Sequence, residues 1–371
     1  MRILVDYRPA LRARTGVGEY IHTLVRSYTA AHDDTVTLFT SSWKDRPSPS
    51  VARDLRARVV DRRVPVSVLN YLWHRAGWPY IEDLAGDADV VHAAHPLLIP
   101  ARRAAQVVTI HDLFFLLNPE RTRAEIRRDY AQLSPSHARR ADAVITSSAH
   151  TKGLVSEHLG VAAERIYVCP PGAPTWRTLG RAPNVPGDGY LLFLGTLEPR
   201  KNLDVLLDAY LALLRESRPV PRLVIAGGAS ADAKGWLDRI SRAPLSSHVF
   251  YKGYVANDDR EALYAGARAL VLPSLDEGFG LPVLEAMSAG IAVVTSNRGS
   301  LPEVVGNAGV LIDPVDVSTW AATIERLSSD TTWTAELACK SLERAKAFTW
   351  DRSSAELRRA YSDAITRRRE R

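Results

Sequence analysis

Apolar and polar positions along this chain switch repeatedly between two periods. Short runs rich in Val, Ile and Leu at residues 2–6, 35–40, 90–92, 107–111 and 143–146 read as strands. Helical spacing follows several of them, at 17–29, 120–138 and 151–159. Pro170-Pro171-Gly172-Ala173-Pro174, then a loop with Pro183, Pro186, Gly187 and Gly189, break the pattern and read as a linker. The alternation restarts with strands at 190–194, 223–226, 249–251, 269–272 and 292–295, and a helix at 203–214. Strands alternating with helices predict parallel sheets covered on both faces. Two such runs around one linker predict an α/β chain of two doubly wound domains with a ligand cleft between them. Two more helical patterns, 331–347 and 351–367, end the chain around Phe348-Thr349-Trp350. Periodicity leaves open whether they cap the second sheet or return to the first domain.

The length of 371 residues agrees with two domains. With 46% hydrophobic and 24% charged residues, the composition excludes disorder and low complexity. No apolar run reaches membrane-spanning length. Two cysteines, Cys169 and Cys339, without a CxxC spacing, argue against a disulfide framework or structural zinc and for a reducing compartment. The opening Met1–Asp6 reads as a strand rather than a signal peptide, so a cytoplasmic protein is expected.

Charge divides the chain. The net charge is +6, and residues 1–180 carry 24 basic against 18 acidic side chains, the whole excess. Clusters stand at Arg53, Arg56, Arg58, Arg62 and Arg63, at Arg121, Arg123, Arg127 and Arg128, and at Arg139 and Arg140. Such a half suits a phosphorylated substrate, an anionic lipid or nucleic acid, or is simply a solvated surface. No nucleic-acid recognition motif is present, so none is expected as partner. Tyr71, Trp73, Trp78 and Tyr80 lie beside Arg63; they fit either a peripheral contact with an anionic membrane or a core helix with snorkelling arginines.

The densest chemistry lies in Asp276-Glu277-Gly278-Phe279-Gly280-Leu281-Pro282-Val283-Leu284-Glu285. Gly278 and Gly280 allow close backbone approach, and Pro282 suits the first turn of a helix opening near Leu281. That helix start offers N–H groups and a positive dipole end to a phosphate. Glu285, one turn in, is placed to point back toward a ligand at its mouth. Gly195-Thr196-Leu197-Glu198-Pro199-Arg200-Lys201-Asn202 follows the first strand of the second half. Arg200 and Lys201 there suit a diphosphate, the alternative being an exposed basic pair before a helix capped by Asn202. In the first half, Thr15-Gly16-Val17-Gly18 follows strand one and offers N–H groups to a phosphate. It lacks the third glycine of a dinucleotide fingerprint, which argues against a dehydrogenase. His111-Asp112 ends another strand, where Asp112 could orient the imidazole or meet a substrate hydroxyl.

Together these segments resemble the retaining GT-B glycosyltransferases of family 4. Glu277 and Glu285 match its E-x7-E motif, and Gly195-Thr196 with Arg200-Lys201-Asn202 matches its G-T-x-x-x-R-K-N segment. Asp6, Gly16-Val17-Gly18-Glu19-Tyr20, His111-Asp112, Cys169-Pro170-Pro171-Gly172 and Phe348-Thr349-Trp350 also fall where that family has counterparts. The chain departs from many relatives at Ala292, where they carry proline. Within the family it looks most like bacterial mannosyltransferases that extend surface polysaccharides.

The resemblance implies two Rossmann-like domains facing each other across a cleft: residues 1–180 for the acceptor, 181–347 for the nucleotide-sugar donor, and 348–371 as a helix returning to the first domain. Arg200 and Lys201 would neutralise the leaving diphosphate, and Glu285 would hold the ribose hydroxyls. Glu277 and the backbone of Gly278, Phe279, Gly280 and Leu281 would hold the donor sugar and phosphates. His111 would contact the sugar, and the backbone at Tyr254 and Val255 would edge the base. The expected reaction is retaining transfer, with mannose from GDP-mannose favoured, to a glycan or lipid-linked saccharide. Front-face attack is favoured because no carboxylate nucleophile is evident. No cofactor is expected, and no metal, because no DxD-like pair ends a suitable strand. Alternatives are a UDP-sugar donor, a sugar-nucleotide epimerase, or a non-catalytic sugar-nucleotide-binding subunit.

Overall fold

Continuous Val, Ile and Leu runs become strands buried on both faces, as parallel sheets require. The computed structural model describes residues 1–11, 16–119 and 124–371. They form two compact units, Met1–Gly172 with Thr349–Arg371, and Ala173–Phe348. The first unit contains β1 (Arg2–Asp6), β2 (Thr35–Ser41), β3 (Arg58–Arg62), β4 (Val90–Ala93), β5 (Ala105–Ile110), β6 (Ala143–Thr146) and β7 (Ile166–Val168). Their order is β3-β2-β1-β4-β5-β6-β7, with every pairing parallel. The second unit contains β8 (Tyr190–Leu194), β9 (Leu223–Ala226), β10 (Val249–Gly253), β11 (Ala267–Leu272), β12 (Ala292–Ser296) and β13 (Val310–Ile312). Their order is β10-β9-β8-β11-β12-β13, again all parallel. The strand order reverses between β1 and β4 in one sheet and between β8 and β11 in the other. Open α/β sheets bind ligands outside the strand C-termini at such points.

The helix Trp350–Arg369 belongs to the first unit. Thr349 caps it by accepting from the Arg352 N–H at 3.3 Å. Leu357, Ala360, Tyr361 and Ala364, at i, i+3, i+4 and i+7, enter the core of that unit. Burying Leu357 alone stabilises by about 1.5–3 kcal/mol. The Tyr361 hydroxyl meets His92 Nδ1 at 2.7 Å, and the Tyr167 hydroxyl donates to Asp363 at 2.6 Å.

Several boundaries differ from expectation. The first unit ends at Gly172 rather than near 180, because Ala173, Trp176 and Leu179 pack on the core of the second unit. The basic cluster around Arg58 and Arg62 contains an edge strand, β3, whose charged ends suit an edge. Residues 64–80 are not one helix. They form a helix, Val66–Tyr71, then a π-helical turn, Leu72–Ala76, which Gly77 ends at φ +64°. Trp73 is buried there, with its indole N–H on Pro79 O and the Arg8 guanidinium 4.7 Å over its ring, whereas Tyr71 and Trp78 are exposed. The helix expected from residue 120 is described over Ala124–Arg140. Thr15, Arg121 and Arg123 lie outside the described residues, as do the side chains of Arg127 and Arg128. No helix of the described residues is long and apolar enough to cross a membrane.

Candidate active site

After β8 the chain passes Gly195 and Thr196 into a 3-10 turn, Pro199–Lys201, and then the helix Leu203–Arg215. Lys201 folds back over Gly195, where a Cβ would stand 3.4 Å from its Cε. Thr196 is exposed. Asn202 does not cap the helix with its side chain as its position suggested. It takes a left-handed conformation (φ +53°), and its amide donates to Pro273 O at 3.2 Å and Pro314 O at 2.7 Å. It thereby ties the loop after β8 to those after β11 and β13.

Glu277, in the loop after β11, is the partner of both cations. Its Oε1 accepts from Lys201 Nζ and, at 2.7 Å, from the Ser274 hydroxyl. Its Oε2 lies 3.0 Å from Arg200 Nη1. Arg200 also lies 2.6 Å from Glu198 Oε1. Glu277 and Lys201 are each 5% exposed, so the basic pair is not a solvated one. Burial pushes the Glu277 carboxyl up, but Lys201 and Arg200 outweigh it and hold it at about 2. The carboxylate is therefore ionised throughout the physiological range.

The loop is braced from β12. Ser300 donates from N–H and hydroxyl to Glu277 O at 3.0 and 2.9 Å, and Ser296 donates to Ser274 O at 2.5 Å. Gly299 (φ +61°) must be glycine, because a Cβ would sit 2.6 Å from Glu277 N. Gly280 (φ +94°) opens the helix Leu281–Ser288, with Pro282 in its first turn. The Phe279 side chain is buried and meets Phe348 edge-on at 5.7 Å.

Glu285, one turn into that helix, accepts from Arg260 Nη1 at 2.6 Å and from the Tyr264 hydroxyl at 2.8 Å, and the same hydroxyl lies 3.2 Å from Pro282 O in the first turn. Burial lowers the Arg260 guanidinium, and Glu285 more than compensates, leaving it raised. The loop after β10 carries Tyr254, exposed, and Val255, packed on the core. It adjoins the loop after β9, where the Gly227 N–H donates to Gly253 O at 2.7 Å. Gly227 (φ +142°) has a special requirement, since a Cβ there would stand 1.9 Å from Gly195 O.

In the first unit, His111 follows β5 with its ring edge-on to Tyr20 at 5.2 Å. Its Nε2 is buried without a hydrogen-bond partner, and burial pulls its pKa down to about 4. Asp112 accepts from the Phe114 N–H at 3.1 Å, which starts the short helix Phe114–Leu117. Gly16 opens the helix Val17–Ala31 at φ +48°. Val17 is exposed, and Gly18 packs where a Cβ would be 2.8 Å from Pro9 O, so closeness to the chain explains that glycine. A polar group the sequence analysis did not assemble lies at the β1–β4 reversal. Asp6 is fully buried between Arg8 (Nε and Nη2, both 2.8 Å) and His95 Nε2 (3.1 Å).

Among the described residues, no group of three or more His, Cys, Asp or Glu is placed to hold a metal ion. The second unit instead presents cations, a buried carboxylate and a helix start around the C-termini of β8 and β11. Two Rossmann-like units of this strand order, one with this cluster, define the GT-B class of glycosyltransferases.

A family model described as glycosyl transferases group 1 matches residues 179–347, and one described as Glycosyltransferase Family 4 matches residues 14–177. O-antigen chain mannosyltransferase B of Escherichia coli is 31% identical over 388 aligned positions, covering 97% of this chain and 99% of that protein. The chain belongs to glycosyltransferase family 4, and it is a glycosyltransferase. Sucrose-phosphate synthase from Thermosynechococcus elongatus has a similar fold, with TM-score 0.75 and 20% identity over 97% of this chain and 98% of that one. The Anabaena protein HepE, solved with UDP and glucose, has TM-score 0.67 and 19% identity over 98% and 99% of the two chains.

Proposed function

We propose that this chain transfers mannose from GDP-mannose to a glycan or lipid-linked saccharide in surface polysaccharide synthesis, with retention at the sugar carbon. The observation that carries the reaction class is the buried Lys201–Glu277–Arg200 cluster beside the helix start at Gly280. Breaking a glycosyl–phosphate bond leaves negative charge on the diphosphate. Lys201, Arg200 and the positive end of the helix Leu281–Ser288 are fixed in advance to receive it. Glu285 holds the ribose hydroxyls, and Val255 edges the base. Glu277 holds the sugar, and the backbone of Gly278–Leu281 holds the sugar and phosphates. In the first unit, the unpartnered His111 Nε2 is a hydrogen-bonding atom for a sugar hydroxyl. Attack comes from the face the diphosphate leaves, the departing phosphate taking the acceptor's proton.

The mannosyl assignment is supported by the E. coli relative, an O-antigen chain mannosyltransferase. The UDP and glucose bound by HepE give the competing assignment, a UDP-sugar donor. Thermal unfolding with GDP, UDP and ADP in turn separates them. A ligand at 100 times its Kd stabilises by about 2.7 kcal/mol. A shift with GDP alone is the expected result. A shift with UDP alone replaces the donor, and no shift with any of them overturns the donor site. Because the two cations neutralise the leaving group, transfer should survive EDTA; loss of activity restored by Mg²⁺ or Mn²⁺ would refute metal-free transfer. The protein is expected to work in the cytoplasm, with peripheral contact to anionic membrane, which flotation with anionic vesicles at low salt tests.

A further inference from the structure

We infer that the first unit carries a second saccharide-binding subsite, over the C-termini of β2 and β3, that takes a neutral oligosaccharide. The inference rests on the reading of the chain as a glycosyltransferase of glycan acceptors, and adds where a sugar remote from the reacting end is held.

A half-open cavity of about 770 Å³ lies there, walled by the loop after β2 and by the helix Val66–Tyr71 with the π-helical turn that follows it. Its volume lies within the range of small-ligand sites, roughly 300–1,000 Å³. Two large aromatic side chains line it while exposed, Trp43 at 72% and Tyr71 at 68%. Aromatic faces of this kind match the C–H faces of sugar rings, amphipathic partners that leave hydroxyls free for hydrogen bonds. Hydrogen-bonding groups are also present. Asn70 accepts from Arg8 Nη1 through Oδ1 at 2.9 Å, which fixes its amide so that its NH₂ remains a donor. His74 lines the cavity, and its Nε2 is buried with no partner. Burial and neighbouring cationic groups hold that imidazole neutral, at about 4.

Among the described residues the lining carries both signs, Lys44 and Arg75 beside Asp45 and Asp129, with Arg75 4.0 Å from Asp129. Aromatic faces with hydrogen-bonding groups between them, rather than a cluster of cations, favour a neutral polyhydroxylated ligand over a phosphate or an anionic lipid head. The walls are also held before any ligand arrives. The Ser42 hydroxyl accepts from Asp45 N–H at 2.9 Å, Ser41 donates to Val64 O at 2.7 Å, and Arg46 pairs with Asp61 at 2.8 Å. Such preorganisation lowers the entropy lost on binding.

Calorimetry on the full chain with mannotriose, maltotriose and cellotriose tests the subsite. Binding of at least one trisaccharide is expected, with an affinity unchanged between 50 and 300 mM salt on the order expected for an uncharged ligand. Trp43→Ala and Tyr71→Ala should each weaken it about 10-fold while leaving the nucleotide-induced Tm shift intact. Both positions are exposed, so the variants fold. A wild-type chain that shows the nucleotide shift but binds no trisaccharide overturns the subsite and leaves the donor reading standing. Failure of the nucleotide shift instead strikes the donor reading. Should Trp43→Ala abolish flotation with phosphatidylglycerol vesicles without affecting saccharide binding, the platform is a membrane contact and the inference fails.

Discussion

Replacing Glu277 by glutamine keeps the shape of the side chain and removes the carboxylate that Lys201 and Arg200 both touch. A carboxyl held at about 2 rather than 4.5 carries a preference for the ionised form of about 3 kcal/mol. The group is buried, so solvent screens little of this. Burial pulls the Lys201 ammonium down even beside Glu277, so removing the carboxylate leaves that cation uncompensated; Glu277→Gln should destabilise the second unit by about 3 kcal/mol at pH 7, the low end of the usual cost of breaking a buried pair. For a unit of this size that corresponds to a Tm lower by about 6–12 °C. The sign of the pH dependence follows from the depressed value. The contribution is fully present above the unfolded value near 4.5 and fades as pH falls from there toward 2, so the Tm gap between wild type and variant should narrow below pH 4.5. Binding should behave differently from stability. The carboxylate competes with a diphosphate for the same two cations, so the nucleoside diphosphate that stabilises the wild type should bind the variant at least as tightly. Calorimetry gives the affinity, and differential scanning at a series of pH values gives the gap. An unchanged Tm, or a gap constant down to pH 3.5, would refute the ionic account of the cluster. Weaker diphosphate binding would refute the competition.

Three further outcomes follow from the geometry. Lys201→Ala should lower kcat by about 10²–10³, the scale of one lost transition-state donor, and undiminished turnover of the purified variant would remove its role. Because burial holds His111 at about 4, its protonation should leave kcat/KM flat from pH 8 to about 5; a limb near 6.5 that disappears in His111→Gln would contradict its buried, neutral state. Gly227→Ala puts a Cβ 1.9 Å from Gly195 O in a strained backbone region, so it should cost about 1–3 kcal/mol in strain alone and weaken nucleotide binding; a variant with wild-type Tm and affinity would show that these loops yield freely.

The parts of this site that could be read from the sequence are those whose neighbours in the chain explain them. Gly278 and Gly280 followed by Pro282 announce a strand-to-helix turn, and the helix begins at Leu281. The adjacent cations Arg200 and Lys201 stand at the end of the first strand of their sheet, as the apolar run 190–194 implied. What could not be read was who pairs with whom. Ser274, Arg260, Tyr264 and Ser300 reach the two glutamates from separate loops and helices, and as residue types they are ordinary on any surface. Only the parallel order β8-β11-β12 brings Ser300 beneath Glu277. Asn202 resembles a helix cap in sequence, yet tertiary demand for two carbonyl partners turned its amide elsewhere. Short edge strands were missed for a related reason. β3 has charged ends, and β7 and β13 have three residues each, too few to establish a period.

Both sheets place an ion cluster where their strand order reverses, and the difference between the clusters assigns the anion. In the first unit, Arg8 spends Nε and Nη2 on Asp6 and Nη1 on Asn70, and its side chain is 6% exposed. Asp6 is held well below the ordinary carboxylate range, burial opposing and Arg8 prevailing, so the cation's charge is matched at close range. An anion arriving there would have to displace a fully buried carboxylate. In the second unit, Glu277 is shared between two cations, and Arg200 also meets Glu198, whose side chain is 35% exposed. A diphosphate would displace Glu198 from Arg200, a pair partly open to water, and compete with Glu277 for the two cations, gaining a helix start in return. The same topological position thus holds a closed ion pair in one sheet and a shared one in the other, and that asymmetry, rather than the basic excess of the first 180 residues, is what supports the proposed phosphate site in the second unit.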